Sequence, residues 1–157
     1  MNVRLRKMVG HGAILMLIGL AAGFGLAMSL IGGFEVTPGW IVEFELPSDS
    51  RGWARTHTGG LMNGLMVLVF ALLFHVMALP DGTERNLTWM LIGAAYANTI
   101  FYWAGMFAPS RAVTFGDNRL GETNWIGALG LLPAFIFAFV SIVAMIILAR
   151  RAFSTSE

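Results

Sequence analysis

Polar punctuation divides the chain into four apolar runs, at about 8–33, 57–79, 87–108 and 125–150. Each run predicts a transmembrane helix, because about 20 apolar residues cross the ~30 Å hydrocarbon core of a bilayer. The segments between them predict turns and loops. In 34–54, Pro38, Gly39, Pro47 and Gly52 interrupt any long regular element. The stretch IVEFEL alternates and predicts at most a short strand, which cannot stand alone. Trp40 and Trp53 beside Glu43, Glu45 and Arg51 fit a membrane-interface belt, so this loop is expected to form a structured cap on the bilayer. Pro80-Asp81-Gly82 predicts a tight turn between the second and third runs. Pro109 closes the third run, a second polar loop fills 110–124, and Pro133 predicts a kink or loosening inside the fourth run. The short polar tail after Arg151 is expected to be mobile. The fold class is therefore all-α: an integral membrane protein forming one four-transmembrane-helix bundle, with two structured extramembrane loops on one side.

Composition strengthens this reading. The chain of 157 residues is 57% hydrophobic and 12% charged, with a mean hydropathy of +0.72. A soluble domain carries roughly 25% charged residues. Its partner is a lipid bilayer; no basic cluster is large enough to suggest nucleic acid. The absence of cysteine excludes disulfides, iron–sulfur clusters, thiolate haem ligation and cysteine nucleophiles. Three histidines are too few for a structural zinc site without cysteine. Six basic residues lie on the side of the termini (Arg4, Arg6, Lys7, Arg85, Arg150, Arg151) and four in the two long loops (Arg51, Arg55, Arg111, Arg119). The positive-inside rule then places both termini in the cytoplasm.

Polar residues inside the spans are the candidate chemistry, because they are costly there without partners. They concentrate in the second and third runs, as Asn63, Asn98, Thr99 and Tyr102, with His57 at the entrance of the second. Asn98 and Tyr102 are one turn apart on one helix face, and Asn63 is placed to meet them across the bundle. On the residues alone, an interhelical hydrogen bond and a functional site are equally good readings. Gly19, Gly23 and the small residues around them read as helix packing. The histidines differ in depth. His57 and His75 are separated by about 27 Å along one helix, so they cannot share a metal ion. His11 and His75 both lie toward the cytoplasmic ends and read as capping or snorkelling side chains. His57 is followed by Gly59 and Gly60, which allow close approach of a ligand or helix. If the chain is already helical at His57, this residue and Asn63 point about 120° apart.

The segments GHGAILM, IGGFEVTPGWIVEFELP, GWARTHTGGLMNGLMV and NTIFYWAGMFAPSRAVTFGDNRLG together resemble the styrene oxide isomerase family. The resemblance runs in one register from about Lys7 to the fourth helix. It implies a bacterial-type inner-membrane protein of four helices, a homotrimer holding haem b between subunits. The implied reaction is redox-neutral rearrangement of a small aryl epoxide to an aldehyde, with ferric haem as Lewis acid and a 1,2-hydride shift. By position, His57 matches the axial haem ligand, Asn63 and Tyr102 match polar groups on the substrate side, and Asn98 matches a further asparagine. Arg51, Arg55 and Arg111 are candidate partners of the haem propionates. Ala94 and Tyr96 stand where a carboxylate and a tryptophan precede the third-helix asparagine in styrene-degrading members, in the region expected to line the substrate ring. The alternative is a b-type cytochrome-like electron carrier with a bis-histidine haem held by His11 and His75.

Overall fold

The computed structural model describes residues 1–154. Four helices dominate it: α1 (Val3–Ile31), α2 (Ser50–Met77), α3 (Asp81–Met106) and α4 (Trp125–Phe153). Three of them, α1, α2 and α4, are long and apolar enough to cross a membrane. The third helix falls short of that hydropathy because Asn98, Thr99, Tyr96 and Tyr102 interrupt its apolar run, although it is 26 residues long.

The helices begin earlier than the apolar runs because capping residues, not hydrophobicity, start them. The side chain of Asn2 accepts from the Leu5 amide at 2.9 Å and starts α1 ahead of Met8. Asp49 accepts from Gly52 at 2.8 Å and starts α2 at Ser50, seven residues before the expected boundary. Pro80-Asp81-Gly82 is not a free turn. Pro80 occupies the cap position, and Asp81 and Glu84 fill the first turn of α3, where the helix dipole favours negative charge. Asn124 caps α4 by accepting from Gly127 at 2.8 Å. This last helix runs through Pro133 and on to Phe153, so it takes in the start of the expected polar tail. Residues 155–157 of that tail lie outside the described residues.

The first loop adds one small element to the four helices. It contains an antiparallel hairpin of β1 (Gly33–Thr37) and β2 (Trp40–Glu43), with Phe34 opposite Val42 and Glu35 opposite Ile41. The IVEFEL strand is therefore partnered by the residues just before it. The turn between the strands is Pro38-Gly39, with Gly39 at φ 83°, where proline followed by a left-handed glycine is favoured.

In the bundle, α1 packs chiefly along α2 and α4 along α3, while α2 and α3 join the two pairs. Toward the termini an apolar core forms around Leu5, Met8, Val67, Phe74, Leu87 and Leu91. Toward the loops a smaller cluster gathers Ala22, Trp53 and Met106. Along α2 and α3 the polar residues Asn63, Asn98 and Thr99 fall between these two clusters. On α4, Phe135, Ile136, Phe139, Ile142 and Val143 are exposed, an apolar face suited to lipid.

Candidate active site

The segment GWARTHTGGLMNG lies wholly within α2. His57 is thus two turns inside the helix rather than at its mouth. The 3.6-residue repeat divides this segment between two neighbours. Thr56, Gly59 and Asn63 face α3: Thr56 Oγ1 lies 3.2 Å from the Tyr102 carbonyl and 3.0 Å from that of Gly52, between which its one proton is shared, the Tyr102 ring lies over Gly59, and Asn63 bonds to α3. His57, Gly60 and Gly64 face α1, against Gly23, Gly19 and Met16. The expected angular separation of His57 and Asn63 is realised as contact with two different helices.

His57 is half-buried, and its Nδ1 lies 2.8 Å from the carbonyl oxygen of Gly19. A carbonyl only accepts, so Nδ1 carries the proton and the lone pair stays on Nε2, the arrangement a metal-binding imidazole needs. Gly23 makes room for the ring: a Cβ there would stand 2.8 Å from His57 Cε1 and Nδ1. Gly19 serves both the backbone contact of α1 with α2 and the orientation of His57. The packing role expected for these two glycines is therefore incomplete, and their part in seating the histidine was missed because it depends on a residue 38 positions away. No cluster of three His, Cys, Asp or Glu side chains occurs among the described residues. A metal held by His57 would have to bring most of its ligands with it, as iron in a porphyrin does.

The other histidines stand apart. His11 Nδ1 is 3.1 Å from the Tyr96 hydroxyl, with the two rings edge to face. His75 is exposed in the last turn of α2. Gly12 meets Gly64 and Gly19 meets Gly60, which sets the antiparallel register of α1 and α2. That register brings His75 level with the start of α1, about two turns from His11. These two histidines do not face each other as a shared ligand pair.

The polar layer is closed on itself. Asn98 Nδ2 donates to Asn63 Oδ1 at 3.0 Å, Asn63 Nδ2 donates to Thr99 Oγ1 at 3.0 Å, and Thr99 Oγ1 donates to the Ala95 carbonyl at 2.8 Å. Asn63 is 6% exposed and is bonded at both ends of its amide, whereas Asn98 is half-buried, bonds only through its nitrogen and keeps one amide hydrogen free on the more accessible side. Tyr102 is one turn from Asn98, and its hydroxyl has no protein partner among the described residues. Thr99, one of the polar residues expected in the third helix, belongs to this layer as the partner of Asn63. Ala94 lies one turn from Asn98 on the same face, toward the termini. Tyr96 does not share that face: it is turned to His11 on α1.

Arg51, Arg55 and Arg111 come together at the loop end, around a cavity of about 190 Å³ also lined by Ser48, Asp49 and Gly105. The ion pairs among the described residues belong to Arg4, so none of these three arginines is paired. Arg55 Nε is buried without a hydrogen-bond partner, and its guanidinium presses on Gly105. Such a cavity suits an anionic group such as a carboxylate.

Comparison with known proteins bears on this arrangement directly. The family model described as styrene oxide isomerase matches residues 4–153. A styrene-oxide isomerase of Pseudomonas fluorescens is 37% identical over 147 residues, covering 94% of this chain and 87% of that protein. The match spans both flanks of α2, the polar layer and the arginine cavity, and with it the chain belongs to the styrene oxide isomerase family and is an isomerase.

Proposed function

We propose that this protein rearranges a small aryl epoxide of the styrene oxide type to the corresponding aldehyde, in a bacterial-type inner membrane. The observation that carries the reading is the division of α2: a metal-competent His57 on one flank and a buried amide layer with a free phenol on the other. Family membership supplies the reaction class.

The residues present fit haem b. His57 Nε2 would hold the iron, and Arg51, Arg55 and Arg111 would hold the propionates. Bound there, the haem would supply a Lewis acid for the epoxide oxygen. The chain does the rest. The Tyr102 hydroxyl and the free Asn98 amide hydrogen are the donors available to orient that oxygen. Asn63 is the positioning residue, because both ends of its amide hold Asn98 and Thr99. The benzylic C–O bond breaks, and the aryl ring stabilises the cation. A hydride moves from the oxygen-bearing carbon to the benzylic carbon as the carbonyl forms, so nothing is added and nothing is oxidised overall. The apolar packing above and below the layer keeps out water, which would otherwise trap the cation as a diol.

Since His57 and the Asn98–Tyr102 face point to different helices, one haem serves both most simply when two subunits share it. We therefore assign the haem to a place between subunits; the resemblance implies that the assembly is a homotrimer, spanning the membrane four times with both termini cytoplasmic. The grouping of Arg4, Arg85 and Arg151 with the start of α3 at one end of the bundle supports that orientation.

The test is direct. Membranes containing the protein are given styrene oxide and the product is identified. Phenylacetaldehyde formed without added oxidant or reductant is expected. Unchanged epoxide, or the diol alone, would overturn the assignment.

A further inference from the structure

The termini end of the molecule holds another cavity, about 490 Å³, between α1 and α3. Its wall on α1 is Arg4, Lys7 and His11, and on α3 it is Arg85, Thr88, Ile92 and Tyr96. Both sets recur every three or four residues, so each is a stripe along one helix face. Both stripes run from charge at the rim to apolar or aromatic surface within.

The rim is cationic in excess. Arg4 pairs with Asp81 at 2.9 Å and Glu84 at 2.8 Å, and Asn2 Nδ2 donates to both Glu84 oxygens at 2.8 and 3.1 Å. The two acids at this end are thus engaged. Lys7 and Arg85 form no ion pair among the described residues. One turn deeper, Thr88 is 6% exposed and its Oγ1 is buried with no hydrogen-bond partner. Such a hydroxyl is destabilising unless an acceptor reaches it. Beyond it, Trp89 and Ile92 offer apolar wall.

An occupant must therefore be anionic at the rim, present an acceptor one turn below, and be apolar beneath that. Free phosphate meets only the first condition, and a neutral hydrocarbon only the last. We propose that this groove binds an anionic glycerophospholipid of the adjoining leaflet. Its phosphate meets Lys7 and Arg85, an ester carbonyl accepts from Thr88, and an acyl chain lies along Trp89 and Ile92. Basic recesses between transmembrane helices recognise lipid headgroups by this chemistry.

The detergent-purified, delipidated oligomer tests the site by native mass spectrometry and thermal unfolding, with lipid occupancy rather than turnover as readout. Dioleoylphosphatidylglycerol is expected to remain bound and to raise the unfolding temperature. Dioleoylphosphatidylcholine and inorganic phosphate are not. Lys7→Gln with Arg85→Gln should weaken retention at least tenfold, whereas Arg6→Gln with Arg150→Gln removes equal charge outside the groove and should leave it intact. Thr88→Val should weaken it several-fold, and Ile92→Trp, which fills the chain slot, should do so with every charge retained. Equal loss in the Arg6/Arg150 control, equal binding of phosphatidylcholine, or full retention in Ile92→Trp overturns the proposal.

Discussion

His57 Nδ1 and the carbonyl oxygen of Gly19 lie 2.8 Å apart, a hydrogen bond from one helix's imidazole to another helix's backbone. It fixes which ring nitrogen is free. Gly23, one turn from Gly19, leaves room for the same ring, so two nearby glycines have separable roles. In Gly23→Ala the new methyl would stand 2.8 Å from the imidazole, a movable side chain. The fold is expected to survive while haem affinity falls about 10–100-fold, as when a ligand's supporting contacts are lost. In Gly19→Ala the methyl would lie 2.6 Å from the Leu61 backbone nitrogen. That variant should instead lose about 1–3 kcal/mol of stability. Soret absorbance per protomer and thermal unfolding separate the two outcomes.

The histidines give a second prediction. His57→Ala is expected to abolish haem binding and turnover, whereas His11→Ala should keep the haem. A visible spectrum that shifts on adding azide marks an open iron position. Haem that persists in His57→Ala and vanishes in His11→Ala would restore the electron-carrier alternative.

Tyr102→Phe keeps the ring over Gly59 and removes only the hydroxyl. Turnover should fall by 10–100-fold, about 1.4–2.7 kcal/mol of transition-state stabilisation, with the haem spectrum unchanged. Steady-state rates with styrene oxide measure this, and an unaltered rate would remove Tyr102 from the site.

Asn63→Ala strips partners from both Asn98 and Thr99. A loss of about 1–2 kcal/mol in stability is expected. Turnover should fall as well, because Asn98 is no longer held. Asn63→Asp tests the positioning role: the carboxylate still accepts from Asn98 but cannot donate to Thr99, so activity should exceed that of Asn63→Ala.

For the arginine cavity, Arg51→Gln, Arg55→Gln and Arg111→Gln are each expected to lower haem retention. The loss should be largest at Arg55, whose Nε is buried without a partner. A lost charge-assisted bond is worth about 1.5–3 kcal/mol, so retention should drop about tenfold or more. Full retention in all three variants would exclude the cavity from haem binding.

Much of this was legible in the sequence, and the omissions have physical causes. Hydrophobicity located the four helices, but their starts were set by Asn2 and Asp49, polar caps outside the apolar runs. The hairpin was hidden because IVEFEL was read without the strand preceding Pro38-Gly39. The meeting of Asn63 with Asn98 followed from depth and helical phase. The seat of His57 did not, because it is built by α1, and intrahelical spacing carries no information about which neighbour a face meets. The contact of Tyr96 with His11 on α1 was not legible for the same reason.

The two-flank use of α2 has a consequence for how the chain tolerates change in length. Every residue inserted between His57 and Asn63 would turn one against the other by about 100°. A single insertion there would send one of them away from its neighbour, and only a near-complete turn would restore the phase. The second loop carries no such constraint. A side chain at Gly116, in the second loop, would meet nothing within 4 Å, and this position stands outside the four helices. Indels are therefore tolerable in that loop and ruinous in the five residues between His57 and Asn63, so α2 acts as a rotational ruler whose length is the specification.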